Sequence, residues 1–311
     1  MRKNPVLIIA GPTASGKSAL AIAAANAFNG VILNCDAMQI YKDIPIIAAT
    51  PSNEEKKQAE HRLYELYDCS VRGNVVDWLN LCVAEIKNLW AENRLPVVVG
   101  GTGFYIDALI NGVTPIPEVP QTIREKIKQR LQKEGLKSLY EYLLSVDERV
   151  ALKIGANDKT RIVRAVEIYE YTGIKVSEWY QKPMIKKLPE ADFCVVKIVP
   201  SIDEIAERCK KRLDKMVFEL GVLKEIENVI KRGLSSDLPA MKALGVPELS
   251  LFVKGEMGLS EALDLAKLHT RQYAKRQRTW LRNKLTADVE FDNVYNGQNE
   301  YLEIIKKSLN L

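Results

Sequence analysis

The sequence predicts an α/β fold whose core is a parallel sheet. Three short apolar runs, at residues 6–10, 31–36 and 96–100, have the length and the β-branched composition of buried strands. Helix-like segments separate these runs, and this alternation is typical of parallel strands covered by helices on both faces. The chain has 311 residues, 47% of them apolar and 27% charged, so it can form a sizeable core.

The loop after the first strand has the pattern G-x-x-x-x-G-K-[ST], which binds phosphate. A strand precedes it and a predicted helix at 19–28 follows it, which is the context that the motif requires and which argues against a chance match. Backbone N–H groups and the helix N-terminus make such a loop an anion site. Lys17 adds a charge, and the hydroxyl of Ser18 can bind Mg²⁺. The predicted diphosphate or polyphosphate site comprises Gly11, Pro12, Thr13, Ala14, Ser15, Gly16, Lys17 and Ser18.

The remaining elements indicate an α/β core that is interrupted by a helical insertion. The proline-rich stretch at 115–120 is a credible hinge. Helices are predicted at 53–68, 78–92, 121–188, 202–220 and 223–285, and strands at 192–200 and 289–292. We therefore assign residues 1–118 and 190–311 to a P-loop core with basic C-terminal helices, and residues 119–189 to a helical insertion domain.

The composition argues against several classes of protein. No uninterrupted apolar run approaches the ~18 residues of a membrane span, and residues 1–5 leave no room for a signal peptide before the first strand. The five cysteines show no C-x-x-C spacing, and with only two histidines a Cys/His metal site is not expected. We expect a cytoplasmic protein with free thiols and no membrane partner.

Three loops leave predicted strands at the edge where parallel sheets bind ligands, the phosphate loop and the segments 36–41 and 100–105. The second contributes Asp36, which is either a general base or an ordinary turn residue after a strand. The third contributes Thr102, and its flanking glycines allow a ligand to approach the backbone closely. The strand before Thr102 ends in glycine, whereas an ordinary P-loop triphosphatase has an acid there that holds Mg²⁺.

The net charge of +5 is unevenly distributed. Between Asp264 and Asp288 the chain has seven basic residues and no acidic one. Four of them recur at helical spacing and so share one face: Arg271, Lys275, Arg278 and Arg282. A solvated helix face is one interpretation, but the absence of acids favours phosphate groups of a nucleic acid. Trp280 is as compatible with core packing as with base stacking.

Six segments in order along nearly the whole chain resemble the tRNA dimethylallyltransferase family. They are residues 11–18, 34–41, 99–105, 157–167 with 171–173, 240–245 and 275–282. The first alone is generic, whereas the ordered set is specific. The resemblance implies transfer of a dimethylallyl group from dimethylallyl diphosphate to N6 of the adenosine 3′-adjacent to the anticodon. The implied partners are the anticodon stem-loop of tRNA and dimethylallyl diphosphate, with Mg²⁺ as cofactor and a monomeric enzyme by analogy.

The resemblance also implies residue roles. Lys17 and Arg212 hold the diphosphate with the loop amides, and Ser18 carries Mg²⁺. Asp36 accepts a proton from N6, and Thr102 binds near the same centre. The implied tRNA contacts are Asp36, Ala37, Met38, Gln39, Thr102, Thr160, Arg161, Arg164, Lys242, Gly245, Lys275, Arg276, Gln277, Arg278, Thr279, Trp280, Leu281 and Arg282. For Arg161 and Arg164 a helix-capping and salt-bridge cluster is an equal alternative.

Three places depart from the family's usual pattern. Ala37 stands where serine is usual, residues 43–51 lack the usual Gly and Lys, and Val246 and Pro247 replace an aromatic and a basic residue. Because Lys17, Asp36 and Thr102 are retained, we expect an active enzyme. The alternatives are a nucleotide or small-molecule kinase, an isopentenyltransferase of free nucleotides, and an inert RNA-binding protein on a P-loop scaffold.

Overall fold

The core of the fold is a six-stranded parallel sheet with strand order β3-β2-β4-β1-β5-β6, in a computed structural model that describes residues 3–310. Residues 1, 2 and 311, to which the predicted core domain extends, lie outside the described part. The strands are β1 Pro5–Ala10, β2 Gly30–Asn34, β3 His61–Arg62, β4 Leu95–Gly100, β5 Asp192–Ile198 and β6 Val289–Phe291. The predicted parallel α/β core is confirmed.

Strand β1 lies in the interior of the sheet and is buried. It pairs in parallel with β4 on one side and with β5 on the other, with Leu7 opposite Val97 and Cys194. All three side chains are fully buried. A strand covered on both faces and both edges carries a continuous apolar run, and residues 6–10 show this run.

Helices of the first part of the chain are α1 Lys17–Ala27, α2 Asn53–Gln58, α3 Val75–Ala91 and α4 Gly103–Asn111. The prediction of one helix over 53–68 is wrong beyond Gln58. Ser52 caps α2 through a capping box, but Ala59 is already extended at φ −151° and ψ 155°. The chain then pairs with the edge of β2, where the N–H of Ile32 donates to the carbonyl of Glu60 at 2.9 Å.

The structure divides the chain into two compact units. One contains the sheet and comprises the chain up to Ile110 and again from Lys187 onward. The other, Asn111–Lys186, is helical and consists of α5 Gln121–Val146, α6 Glu148–Ile154, α7 Lys159–Thr172 and α8 Val176–Trp179. It has its own apolar core, and Gly135 at φ 81° interrupts α5. As a domain assignment, the boundaries drawn from the sequence at 119 and 189 stay a prediction.

The C-terminal part adds further helices to the unit that contains the sheet. They are α9 Ile202–Phe218, α10 Val222–Lys231, α11 Val246–Val253, α12 Leu259–Lys284 and α13 Asn299–Leu309, with a 3₁₀ turn at Ala240–Lys242. Helix α12 packs against α9 and α11. No helix within residues 3–310 has the length and apolar character needed to cross a membrane.

Candidate active site

The phosphate loop, residues 11–18, connects β1 to α1 at the carboxyl edge of the sheet. Gly16 has a φ of +84°, and a Cβ atom there would lie 2.6 Å from the carbonyl oxygen of Tyr295, so only glycine fits. The Lys17 ammonium donates to the carbonyl of Pro12 at 3.2 Å and thus lies back along the loop. The buried Ser15 hydroxyl has no partner among the described residues, which leaves it available to a bound anion.

The loop shares a cleft with residues that are distant in sequence. Its lining comprises Thr13, Ala14, Ser15, Gly16, Lys17, Ser18, Asp36, Gln39, Ala48, Ala49 and Arg212. Arg212, on α9, donates to the hydroxyl of Thr13. The structure therefore brings Lys17, Asp36 and Arg212 to one site, as the sequence predicts for a diphosphate and a base.

Electrostatics in this cleft favour an anionic ligand. The pKa of Lys17 is lowered from 10.5 to about 8, mainly by burial; the Asp36 carboxylate opposes this shift and the Arg212 guanidinium adds to it. Burial also lowers the pKa of Arg212. Two cations that are held close together and partly desolvated gain the most from a multiply charged anion.

Asp36 and Thr102 lie just after the ends of β2 and β4 and are held by hydrogen bonds to the backbone. One carboxylate oxygen of Asp36 accepts from the N–H of Met38 at 2.9 Å, and the Asn34 side chain accepts from the N–H of Asp36 at 2.9 Å. Asp36 is therefore a turn residue that also lines the cleft, and its role as a general base stays a prediction. The Thr102 hydroxyl accepts from the N–H of Ala37 at 3.1 Å, which joins the two loops. Because this contact uses the backbone at position 37, the serine that is usual there is not required for it.

The segment 43–51 forms a second part of the cleft that sequence reasoning did not anticipate. The Gln39 amide donates to the carbonyls of Ala48 at 3.1 Å and Ala49 at 2.7 Å. Glu225, on α10, accepts from the N–H groups of Ile46 at 2.8 Å and Ile47 at 2.9 Å. Burial raises the pKa of Glu225, and these two N–H groups oppose that effect. No local signal marks Glu225, which is one of several acids on an amphipathic helix.

Helix α12 presents part of the predicted RNA surface. The exposed residues are Arg271, Lys275, Arg276, Thr279 and Arg282. Arg278 is half-buried, and its Nε donates to the carbonyl of Pro200 at 2.9 Å. Trp280 is also half-buried and lies against Gly103, where a Cβ atom would collide with the indole.

Two of the expected RNA contacts on α12 are enclosed instead. Gln277 is 7% exposed and Leu281 is 0% exposed. The Gln277 side chain accepts from the N–H of Thr13 at 3.0 Å and donates to the carbonyl of Gly101 at 2.8 Å. The enclosed side chains of Gln277 and Leu281 offer little surface to an RNA, and the expectation of RNA contacts at these two positions stays a prediction. Gln277 and Leu281 lie on the side of α12 opposite the exposed basic residues. This helical spacing is the sequence signal that could have predicted their burial.

The other predicted RNA contacts lie on both units. In the helical unit, Asp158 caps α7 by accepting from the N–H of Arg161 at 3.0 Å, and Arg164 lies 3.4 Å from Glu167. The capping and salt-bridge cluster is therefore present, yet Thr160 and Arg161 are exposed on α7. In the unit that contains the sheet, Lys242 is exposed, whereas Gly245 is buried and opens α11 at φ 90°.

Together, the sheet order and the phosphate loop define a P-loop fold whose cleft brings two cationic side chains beside a carboxylate. The chain belongs to the IPP transferase family, whose model matches residues 39–284. Among residues 3–310, no group of three or more His, Cys, Asp or Glu side chains could hold a metal ion.

Curated relatives and solved structures agree with this assignment. The tRNA dimethylallyltransferase of Zymomonas mobilis subsp. mobilis is 40% identical over 300 residues, which cover 94% of this chain and 95% of the relative. The tRNA dimethylallyltransferase of Pelagibacter ubique is 35% identical over 307 residues, which cover 99% of this chain and 97% of the relative. The full-length tRNA isopentenylpyrophosphate transferase from Bacillus halodurans has a TM-score of 0.69 at 28% identity, covering 99% and 97% of the two chains. A eukaryotic dimethylallyltransferase captured acting on tRNA has a TM-score of 0.76 at 30% identity, covering 89% of this chain and 69% of its own.

Proposed function

We propose that this protein is a tRNA dimethylallyltransferase. It transfers a dimethylallyl group from dimethylallyl diphosphate to N6 of the adenosine 3′-adjacent to the anticodon, giving N6-dimethylallyladenosine and diphosphate. The observation that carries the proposal is the combination of Lys17, Arg212 and Asp36 in one cleft. Two cations suit a diphosphate leaving group, and a carboxylate suits an amine that must lose a proton.

The reaction forms one bond and breaks another. The N6 nitrogen attacks the allylic carbon while the bond from that carbon to the diphosphate oxygen breaks, and the electron pair leaves with the diphosphate. Lys17, Arg212 and the loop N–H groups stabilise the charge that develops on that oxygen. Asp36 takes the proton that N6 loses. Thr102 holds the backbone at Ala37 and so orients the loop that carries Asp36.

Mg²⁺ fits the donor set of the cleft. Mg²⁺ in phosphate sites uses one or two protein oxygens together with phosphate oxygens and water, so it needs no cluster of acids. The exposed Ser18 hydroxyl lines the cleft and would hold the ion with the diphosphate. When bound, the ion would neutralise charge on the leaving group.

The tRNA would be bound by basic and polar residues of both units. In the helical unit we assign this role to Thr160, Arg161 and Arg164. In the other unit we assign it to Asp36, Ala37, Met38, Gln39, Thr102, Lys242, Gly245, Lys275, Arg276, Arg278, Thr279, Trp280 and Arg282. The cost of extracting the target adenine is a few kcal/mol, and it is lowest for a base in a single-stranded loop.

A prenyl-transfer assay tests the proposal. Protein, Mg²⁺ and labelled dimethylallyl diphosphate are offered unmodified tRNA with adenosine after the anticodon, the same tRNA with guanosine there, and AMP. We expect label in the first tRNA alone. Label in AMP would instead indicate an enzyme of free nucleotides. Phosphate transfer from ATP to a small acceptor, with no prenyl transfer, would indicate a kinase.

A further inference from the structure

We infer that Gln277 is a positioning residue of the reaction: it sets the phosphate loop at a defined distance from the turn that carries Thr102. The inference rests on the proposed function, because the two loops it joins are those that hold the leaving group and orient the base. It also gives Gln277 a role different from that of its exposed neighbours on α12.

Both polar atoms of the Gln277 amide are used, and each is used on a different loop. The oxygen accepts from the N–H of Thr13 in the phosphate loop at 3.0 Å. The nitrogen donates to the carbonyl of Gly101, which follows β4, at 2.8 Å. The side chain is 7% exposed, so water has little access to replace either bond.

The contact between Gln277 and Gly101 requires glycine at position 101. A Cβ atom at Gly101 would collide with the Gln277 amide nitrogen and would lie 2.8 Å from the carbonyl oxygen of Gly11. Only glycine therefore lets the amide reach the backbone at this point. The N–H of Gly11 also donates to the carbonyl of Gly100 at 3.3 Å, so the two loops already touch where Gln277 joins them.

Each of the two loops that Gln277 joins is also connected by a hydrogen bond to a residue of the proposed reaction site. On one side, the hydroxyl of Thr13 accepts from Arg212, which we assign to the diphosphate. On the other side, Thr102 follows Gly101 and accepts from the N–H of Ala37, next to Asp36. A shift of either loop would change the distance between the leaving group and the base.

The exposed residues of α12 separate this role from RNA binding. Lys275 and Arg276 precede Gln277 directly and are both exposed, whereas Gln277 is enclosed. Leu281, one helical turn further along, is fully buried on the same side of the helix as Gln277. A substitution at 277 should therefore alter the cleft, while one at 276 should alter the RNA surface.

The test compares three substitutions by methionine on α12. Gln277→Met keeps the length of the side chain but removes both hydrogen bonds. Gln272→Met makes the same change at an exposed position of this helix, and Arg276→Met removes a proposed RNA contact. For each variant we would measure the Kd of inorganic diphosphate by calorimetry without tRNA, kcat and KM of prenyl transfer for both substrates, and the Tm.

We expect Gln277→Met to weaken diphosphate binding about tenfold, which is the effect of one lost hydrogen bond. Its kcat should fall by about 10²-fold, because a displacement of reacting groups by about 1 Å has that effect, and its KM for tRNA should stay unchanged. Arg276→Met should raise only the KM for tRNA, and Gln272→Met should match the wild type in diphosphate binding and kcat.

Two results would overturn the inference. If Gln277→Met raises the KM for tRNA and leaves diphosphate binding unchanged, Gln277 is an RNA contact. If only the Tm falls, with Kd and kcat unchanged, the residue supports the fold alone. Diphosphate binding is measured without prenyl transfer, so an absence of transfer by the wild type would refute the proposed function and leave the comparison at 277 intact.

Discussion

Two segments line the same cleft and are held in place by different means. The phosphate loop requires its own residue types in addition to the outside contact from Gln277, since Gly16 adopts a φ of +84° that only glycine adopts freely. The segment 43–51 is held from outside, by the Gln39 amide and the Glu225 carboxylate, which bind its backbone. Hydrogen bonds to a backbone do not depend on the side chains of the segment that they hold. The second segment can therefore lack the usual Gly and Lys and still line the cleft, whereas the first could not tolerate such a change.

The largest expected effect is a loss of prenyl-transfer rate when Asp36, which lies in the cleft that both segments line, is replaced. Asp36→Asn should lower kcat for prenyl transfer by about 10²- to 10⁴-fold, because general-base catalysis contributes that much and an amide cannot accept the proton. The variant keeps an oxygen for the N–H of Met38, so the turn should persist. Steady-state rates and calorimetric diphosphate binding on the same preparation check this. An unchanged kcat would remove Asp36 from the mechanism.

Glu225→Leu tests whether the 43–51 segment is held from outside. The change leaves the N–H groups of Ile46 and Ile47 without their acceptor, and we expect the free energy of unfolding to fall by about 2 kcal/mol. Diphosphate affinity should fall as well, since Ala48 and Ala49 line the cleft.

Glu227→Leu, on the same helix, is the matched control for Glu225→Leu. Glu227 pairs only with Lys224 and Lys231 at the surface among the described residues, so its loss should lower the free energy of unfolding, measured in urea, much less than the loss of Glu225. Equal losses in the two variants would show that the carboxylate at 225 has no special role.

Diphosphate affinity should depend on pH through Lys17. Its pKa in the free protein is about 8, and a bound anion favours the charged ammonium. Binding is therefore strong below pH 8 and weakens as the pH rises above it, by up to about tenfold per pH unit. Calorimetry in metal-free buffer measures this dependence. Lys17→Arg, which stays charged throughout, corrects for titration of the ligand itself and should show the shallower profile. Parallel profiles would assign the pH dependence to the ligand.

The same contrast explains which features could be predicted from the sequence. Strands β1, β2, β4 and β5 and the phosphate loop depend on local patterns, namely apolar runs and a motif of eight residues. The way both parts of the cleft are held also depends on contacts between residues far apart in sequence: 178 positions separate Ile47 from Glu225, and 264 separate Thr13 from Gln277. No local pattern encodes these.

Two elements differ from the prediction, one for a long-range and one for a local reason. The helix predicted over 53–68 stops early because Ala59 turns into an edge strand, which only its pairing with β2 determines. Helix α13 was missed although a signal existed. Tyr301, Ile305 and Leu309 recur every four residues and are all buried, as on one face of a helix.

The smallest expected effect is within the 43–51 segment itself. Ala49 has a φ of +53°, a conformation that costs an L-residue about 1–2 kcal/mol and glycine almost nothing. Ala49→Gly should therefore raise the free energy of unfolding by up to about 1 kcal/mol, after the greater entropy of glycine in the unfolded chain is subtracted. Ala48→Gly, at the neighbouring position without a positive φ, should lower it by about 0.5–1 kcal/mol. Because Gln39 binds the backbone carbonyls at both positions, neither change should alter diphosphate affinity. A loss of affinity in both variants would mean that the alanine methyl groups, and not the backbone held by Gln39 and Glu225, form this part of the cleft.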